Sequence, residues 1–188
     1  MRIAVHTPRS GEDCHGLCEA SQRQIKRGWK MTTPRVFQIN ISDGGVPKLP
    51  VLSVKVTAAG LAGDRQRNLK YHGGPDRAVC LYSLERLIAL QNQGHPVYPG
   101  AMGENLTLSG IDWDRLVPGT LMRIGEKLLV ELTSYADPCP DLLPYFTDGA
   151  NHLVDQDKYP GWSRVYARVL EPGTVKVADE VEFVNRKD

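Results

Sequence analysis

The sequence predicts a mostly β domain, a barrel decorated by small helices, and three observations carry that prediction. Short apolar runs rich in valine and isoleucine recur in seven or eight places. Glycine and proline are dense, 18 and 13 of 188 residues, which suits many turns better than a helix bundle. One segment alone carries a clear helical period.

Taken in order, residues 1–30 read as an extension rather than as part of the body. Their basic residues Arg2, Arg9, Arg23, Lys26, Arg27 and Lys30 outnumber Glu12, Asp13 and Glu19. Apolar residues there are sparse and aperiodic, too few to offset the entropy of ordering, so the stretch is expected to be disordered. Cys14, His15 and Cys18, with His6 nearby, have no second ligand pair at a usual zinc spacing and read as scattered thiols. Residues 31–188 form the expected domain, long enough to bury roughly 70% of its unfolded surface without a staple.

Within that body, Val36–Ile41 and Val51–Ala58 read as strands joined by the turn Ser42-Asp43-Gly44-Gly45. Ala78–Tyr82 reads as a buried strand. Ser83 caps the helix Leu84–Gln93, whose Leu84, Leu87, Ile88 and Gln91 follow the i, i+3, i+4, i+7 pattern, and Gly94 ends it. Asn105–Leu108 is a brief strand and Asp112–Leu116 a single helical turn. Leu121–Ile124 and Leu128–Thr133 form a hairpin about Gly125-Glu126. Arg164–Leu170, Val175–Val177 and Val181–Val184 close the chain.

Composition excludes several classes. No window approaches the ~18 uncharged apolar residues of a membrane helix. A net charge of +1 argues against a nucleic-acid polymer as partner. Four cysteines are too few for a disulfide scaffold at this length, and the expected location is the reducing cytoplasm.

Three polar clusters look costly for plain loops. Gly63-Asp64-Arg65-Gln66 and His72-Gly73-Gly74-Pro75-Asp76-Arg77 place cations beside paired glycines, a pattern suited to an oxyanion or to a solvated turn. Gly103-Glu104-Asn105 stands at the mouth of a strand, placed to read a polar ligand or to satisfy loop backbone. In Asp137-Pro138-Cys139-Pro140-Asp141, Pro140 fits the first helical position and makes Cys139 the cap of a short helix. A helix start favours a thiolate, whereas Asp137 and Asp141 oppose one. Cys80 sits in the apolar run Ala-Val-Cys-Leu-Tyr and reads as a small core residue. A hydrolase finds no Gly-x-Ser-x-Gly elbow and no histidine motif beside a nucleophile.

In this order the clusters resemble the MOSC domain family, named for the C-terminal domain of molybdenum cofactor sulfurases. The closing stretch Pro160-Gly161-Trp162-Ser163-Arg164-Val165-Tyr166-Ala167-Arg168-Val169-Leu170 is similar to stand-alone bacterial members of the YiiM type. The resemblance implies a MOSC-type β-barrel and a site for the molybdenum cofactor, molybdopterin carrying the metal and a phosphate. It also brings a family-level association with pyridoxal phosphate.

By the same resemblance Cys139 ligates molybdenum or carries a sulfane sulfur as persulfide. Arg65, His72, Gly73, Gly74, Asp76 and Arg77 stand in the family's cofactor-holding motif, and Glu104 and Asn105 contact the pterin or shape its pocket. Two functions follow as expectations. One is reduction of N-hydroxylated compounds such as hydroxylaminopurine, with electrons from a partner protein, since no flavin, iron–sulfur or nicotinamide fingerprint is present. The other is sulfur carriage on Cys139, loaded by a cysteine desulfurase. The chain departs from many relatives in having Tyr135-Ala136-Asp137 where an arginine precedes Pro-Cys, and Ala178-Asp179 where Gly-Asp is usual.

Overall fold

The computed structural model describes residues 33–67 and 72–185. The expected N-terminal extension, residues 1–30 with their Cys14/His15/Cys18 group, lies outside the described residues. Among the described residues eleven strands are seen: β1 (Arg35–Ile41), β2 (Leu49–Val51), β3 (Ser53–Thr57), β4 (Gly60–Leu61), β5 (Val79–Ser83), β6 (Leu106–Ser109), β7 (Leu121–Ile124), β8 (Leu128–Ala136), β9 (Arg164–Glu171), β10 (Gly173–Lys176) and β11 (Val181–Val184). They form an eight-stranded sheet in the order β11-β7-β8-β9-β5-β6-β1-β2 and a three-stranded sheet β10-β3-β4.

The class is β-rich, as expected, but the larger sheet is not a continuously closed barrel. Its end strand β11 pairs with β7, and the residues just before it touch the start of β1 through the isolated bridge Arg35↔Glu180 and two bonds of 2.9 Å, Val36 N–H to the Asp179 carbonyl and Ala178 N–H to the Val36 carbonyl. Among the described residues no helix is long and apolar enough to cross a membrane.

Strand β5 lies between β9 (antiparallel) and β6 (parallel), and all five of its residues are buried. A strand covered on both faces reads as a continuous apolar run, which is why its sequence shows no alternation. Strand β1 buries both Val36 and Ile39, an odd spacing that strict alternation forbids. The register shift between Val36 and Gln38 resolves it, since an extra residue reverses the phase of the pleat.

Helix α1 (Leu84–Asn92) begins as expected, with the Ser83 side chain accepting from Arg86 N–H at 3.3 Å. Its buried face is not the expected one. Arg86, Leu87, Ala89 and Leu90 are buried while Ile88 is exposed. Arg86 can go inward because its guanidinium pairs with Asp114 at 2.6 Å and lies 4.5 Å over the Trp162 ring. The predicted Val51–Ala58 strand is two strands in different sheets, and β8 runs three residues further than predicted, to Ala136.

Candidate functional site

A cavity of about 650 Å³ opens where the end of β8, the start of β9, strand β5 and the loops around residues 45–48, 65–67, 72–77 and 103–105 converge. Antiparallel register sets the wall: Cys80 faces Tyr166, and Ala136 faces Arg164. Three residues beyond Ala136 comes Cys139, half-buried on the cavity wall. It precedes the 3-10 helix Pro140–Tyr145, with proline in the first turn as expected, though its side chain makes no capping bond. Its carbonyl is held by Leu142 N–H and by Asn151 Nδ2, each at 3.1 Å.

The floor is a polar network. Asn105 N–H donates to the Cys80 carbonyl at 2.7 Å, and Cys80 N–H donates back to Asn105 Oδ1 at 3.0 Å. Asn105 Nδ2 reaches Asp64 at 2.9 Å, and Asp64 also accepts from Ser42 N–H at 2.8 Å and Lys48 Nζ at 2.6 Å. The side chains of Lys48 and Asp64 are 8% and 1% exposed, so this ion pair is screened little by solvent. Gly100 brings the next loop in. Its φ of +92° and its position, where a Cβ would lie 2.2 Å from the Lys48 carbonyl, admit no other residue.

The walls are basic. Lys48, Arg65, Arg67, Arg77 and Arg164 line the cavity against Asp137 and Asp141. Arg65 is exposed and pairs with Asp43 at 2.9 Å. His72 Nδ1 and the Tyr166 hydroxyl are hydrogen-bonded at 2.8 Å, and Arg77 lies 5.6 Å over the Tyr166 ring. Burial, then the charges of Arg164 and Arg77, hold His72 below its ordinary value, so the imidazole is neutral at pH 7. Burial pushes the Cys80 thiol up to about 11 and raises the Tyr166 hydroxyl well above the usual range.

Of the residues singled out from sequence, Arg65, His72, Gly73, Arg77, Asn105 and Cys139 share this cavity; Gly74, Asp76 and Glu104 do not line it. Asp76 is exposed on a neighbouring depression, 3.5 Å from Arg168. Glu104 is fully buried, its Oε1 accepting from Gly100 N–H at 2.7 Å and the Thr107 hydroxyl at 2.8 Å, so it shapes the loop from within. Asn105 satisfies backbone groups while facing the cavity. Sequence reasoning missed Lys48, Arg164 and Tyr166. The usable signal was Arg164 itself, a charge set between Trp162 and Val165 in a run that is wholly buried.

The MOSC domain family matches residues 68–182. Uncharacterized protein YflK of Bacillus subtilis is 33% identical over 77% of this chain and 65% of its own length. Protein YiiM of Escherichia coli is 34% identical over 70% of this chain and 59% of its own. The chain thus spans about three fifths of the length of these curated relatives. The crystal structure of YiiM from Geobacillus stearothermophilus superposes with a TM-score of 0.61 at 26% identity, covering 81% of this chain and 76% of that one. With its ordered motifs gathered around one cavity and the family matching more than half its length, the chain belongs to the MOSC domain family.

Proposed function

We propose that this cavity binds the molybdenum cofactor and that the loaded protein reduces N-hydroxylated compounds. One observation carries the reading: Cys139 is a half-exposed thiol on the wall of a cavity lined mainly by cations. Among the described residues no group of three or more His, Cys, Asp or Glu side chains forms a metal cage. A metal here would therefore arrive with its own ligands, and a single soft thiolate from Cys139 would complete them.

The donor set fits such a group. Arg65, Arg67 and Arg77 supply N–H forks for a phosphate, and the buried Arg164 adds a further cation to the cavity wall. Pyridoxal phosphate held through a lysine fits less well, because Lys48, the one lysine lining the cavity among the described residues, is engaged by Asp64.

When bound, the cofactor supplies a two-electron redox metal. The overall reaction replaces N–OH by N–H and releases water, consuming two electrons from a partner protein and two protons. The chain's own residues exclude bulk water from the floor, place Cys139 at the wall and keep a proton in the His72 Nδ1–Tyr166 hydroxyl bond.

Metal analysis of protein from a molybdate-fed host tests the reading, together with Cys139→Ser in cells challenged with hydroxylaminopurine. Bound molybdenum and loss of protection in the variant are expected. A molybdenum-free protein whose variant protects as well as wild type overturns it. A sulfur adduct on Cys139 after treatment with a cysteine desulfurase and cysteine would shift the reading to sulfur carriage.

A further inference from the structure

His95 does not line the cavity; it sits in the loop after helix α1 and is 9% exposed. Its own N–H donates to the Leu90 carbonyl at 3.1 Å, which folds the loop back on the helix end. The ring packs 5.2 Å from that of Phe146, and its Nδ1 accepts the Thr147 N–H at 3.2 Å. The Thr147 hydroxyl donates to the Gly94 carbonyl at 2.9 Å, so a second bond joins the same two stretches of chain.

A backbone N–H can only donate. The bond from Thr147 therefore needs a bare lone pair on Nδ1, and the ring stands as the neutral tautomer with its proton on Nε2. A proton added to Nδ1 would set two donors face to face. Burial, the larger effect, opposes the cation, and Asp148 from the Thr147 side favours it. Among the described residues no further charge, from α1 or from the loop itself, bears on the ring.

What the bond holds is the segment that follows the thiol. Thr147–Gly149 is a 3-10 turn whose middle residue, Asp148, has a φ of +57°. That left-handed backbone costs an L residue energy, so the turn gains from a hold outside itself. Two residues beyond the turn, Asn151 Nδ2 donates to the Cys139 carbonyl at 3.1 Å. One turn and two hydrogen bonds thus connect His95 to Cys139.

We propose that His95 is a positioning residue for Cys139, its bare Nδ1 pinning the turn from which Asn151 holds the backbone of the thiol. Acid releases this clamp. A ring freed from the turn takes its proton at the ordinary 6.5 and the clamped ring only at lower pH, so the hold is full above pH 6.5 and weakens as pH falls. The inference deepens the reading of Cys139 as the working thiol and rests on it only for the consequence in turnover.

Hydrogen exchange of the full chain tests it, read by mass in peptides covering residues 140–154 and expressed as protection factors, which remove the intrinsic effect of pH on exchange. From about pH 7.5 to about pH 5, wild-type protection in this segment is expected to fall about tenfold, the worth of one hydrogen bond. The reaction of Cys139 with 4,4′-dithiodipyridine, divided by that of a free peptide thiol at the same pH, should rise over the same interval.

His95→Asn places an amide oxygen where Nδ1 stands and does not titrate, so it should keep the protection and lose its pH dependence. His95→Leu should lack the protection at both pH values. If the leucine variant fails to fold, wild type against the asparagine variant decides. Protection in wild type that does not change with pH, or an asparagine variant with the wild-type pH dependence, overturns the inference. An acid-released clamp in a protein that never acquires molybdenum overturns the cofactor reading and leaves the clamp standing; a molybdenum-loaded protein with pH-independent exchange does the reverse.

Discussion

Arg164 Nη2 donates to the carbonyl of Asp137 at 2.8 Å, two residues before Cys139. The strand that carries the buried cation therefore also fixes the loop that carries the thiol. Its other arm holds the Met102 carbonyl at 2.7 Å, so one side chain sets the distance between two loops of the cavity. The positions of thiol and cation are consequences of a single residue's geometry.

The thiols should separate by reactivity. Cys139 is half-buried on the cavity, whereas Cys80 is buried with its thiol pushed up to about 11. Iodoacetamide at mildly alkaline pH is expected to label Cys139 at least about tenfold faster, because the thiolate is the nucleophile and access limits its attack. Cys80 should react only after unfolding, as read by peptide mass mapping.

Breaking the floor ion pair should be severe. Asp64→Asn leaves the Lys48 ammonium buried without its counter-charge, at an expected cost of about 3–5 kcal/mol in urea unfolding. Adding Lys48→Met to that variant should recover part of the loss, since the unpaired charge disappears.

Two glycines with similar backbones should differ in tolerance. Gly100 and Gly94 have φ of +92° and +90°, but a Cβ at Gly94 meets nothing within 4 Å. Gly94→Ala should cost about 1 kcal/mol from strain alone. Gly100→Ala must also displace the Lys48 carbonyl and should cost at least about 3 kcal/mol by the same thermal or urea measurement.

His72 should show its environment on titration. Burial first, then Arg164 and Arg77, lower its folded value beneath the ordinary 6.5. The unfolded chain thus binds the proton more readily, so the contribution to stability is full above pH 6.5 and declines as pH falls towards the folded value. His72→Gln should flatten the loss of stability in that window. Arg77→Gln should move the His72 NMR midpoint upward.

Much of the sheet was legible because strand signals are local. Val79–Ser83 and the hairpin about Gly125 needed only apolar runs and a turn, and Pro140 marked the start of the helix after Cys139. Helix α1 was placed correctly and faced wrongly, because an arginine scores as solvent-facing until Asp114 and Trp162 are known to receive it. Tyr166 and Arg164 escaped for a related reason: their partners lie 94 residues away at His72 and 62 away at Met102. Contacts of that separation are made by strand register, which no window of sequence contains. Glu104, adjacent to a true cavity residue, points the other way because successive residues entering a strand alternate.

The place of β11 at the end of the larger sheet, paired with β7, has a consequence for handling the protein. Removing the last strand would strip β7 of its neighbour along its whole length, while Ala178–Glu180 still cover the start of β1, so one raw edge is created on β7. Exposed strand borders of this kind recruit other chains. Shortening the C-terminus past Val181 is therefore expected to yield aggregates rather than a smaller soluble domain.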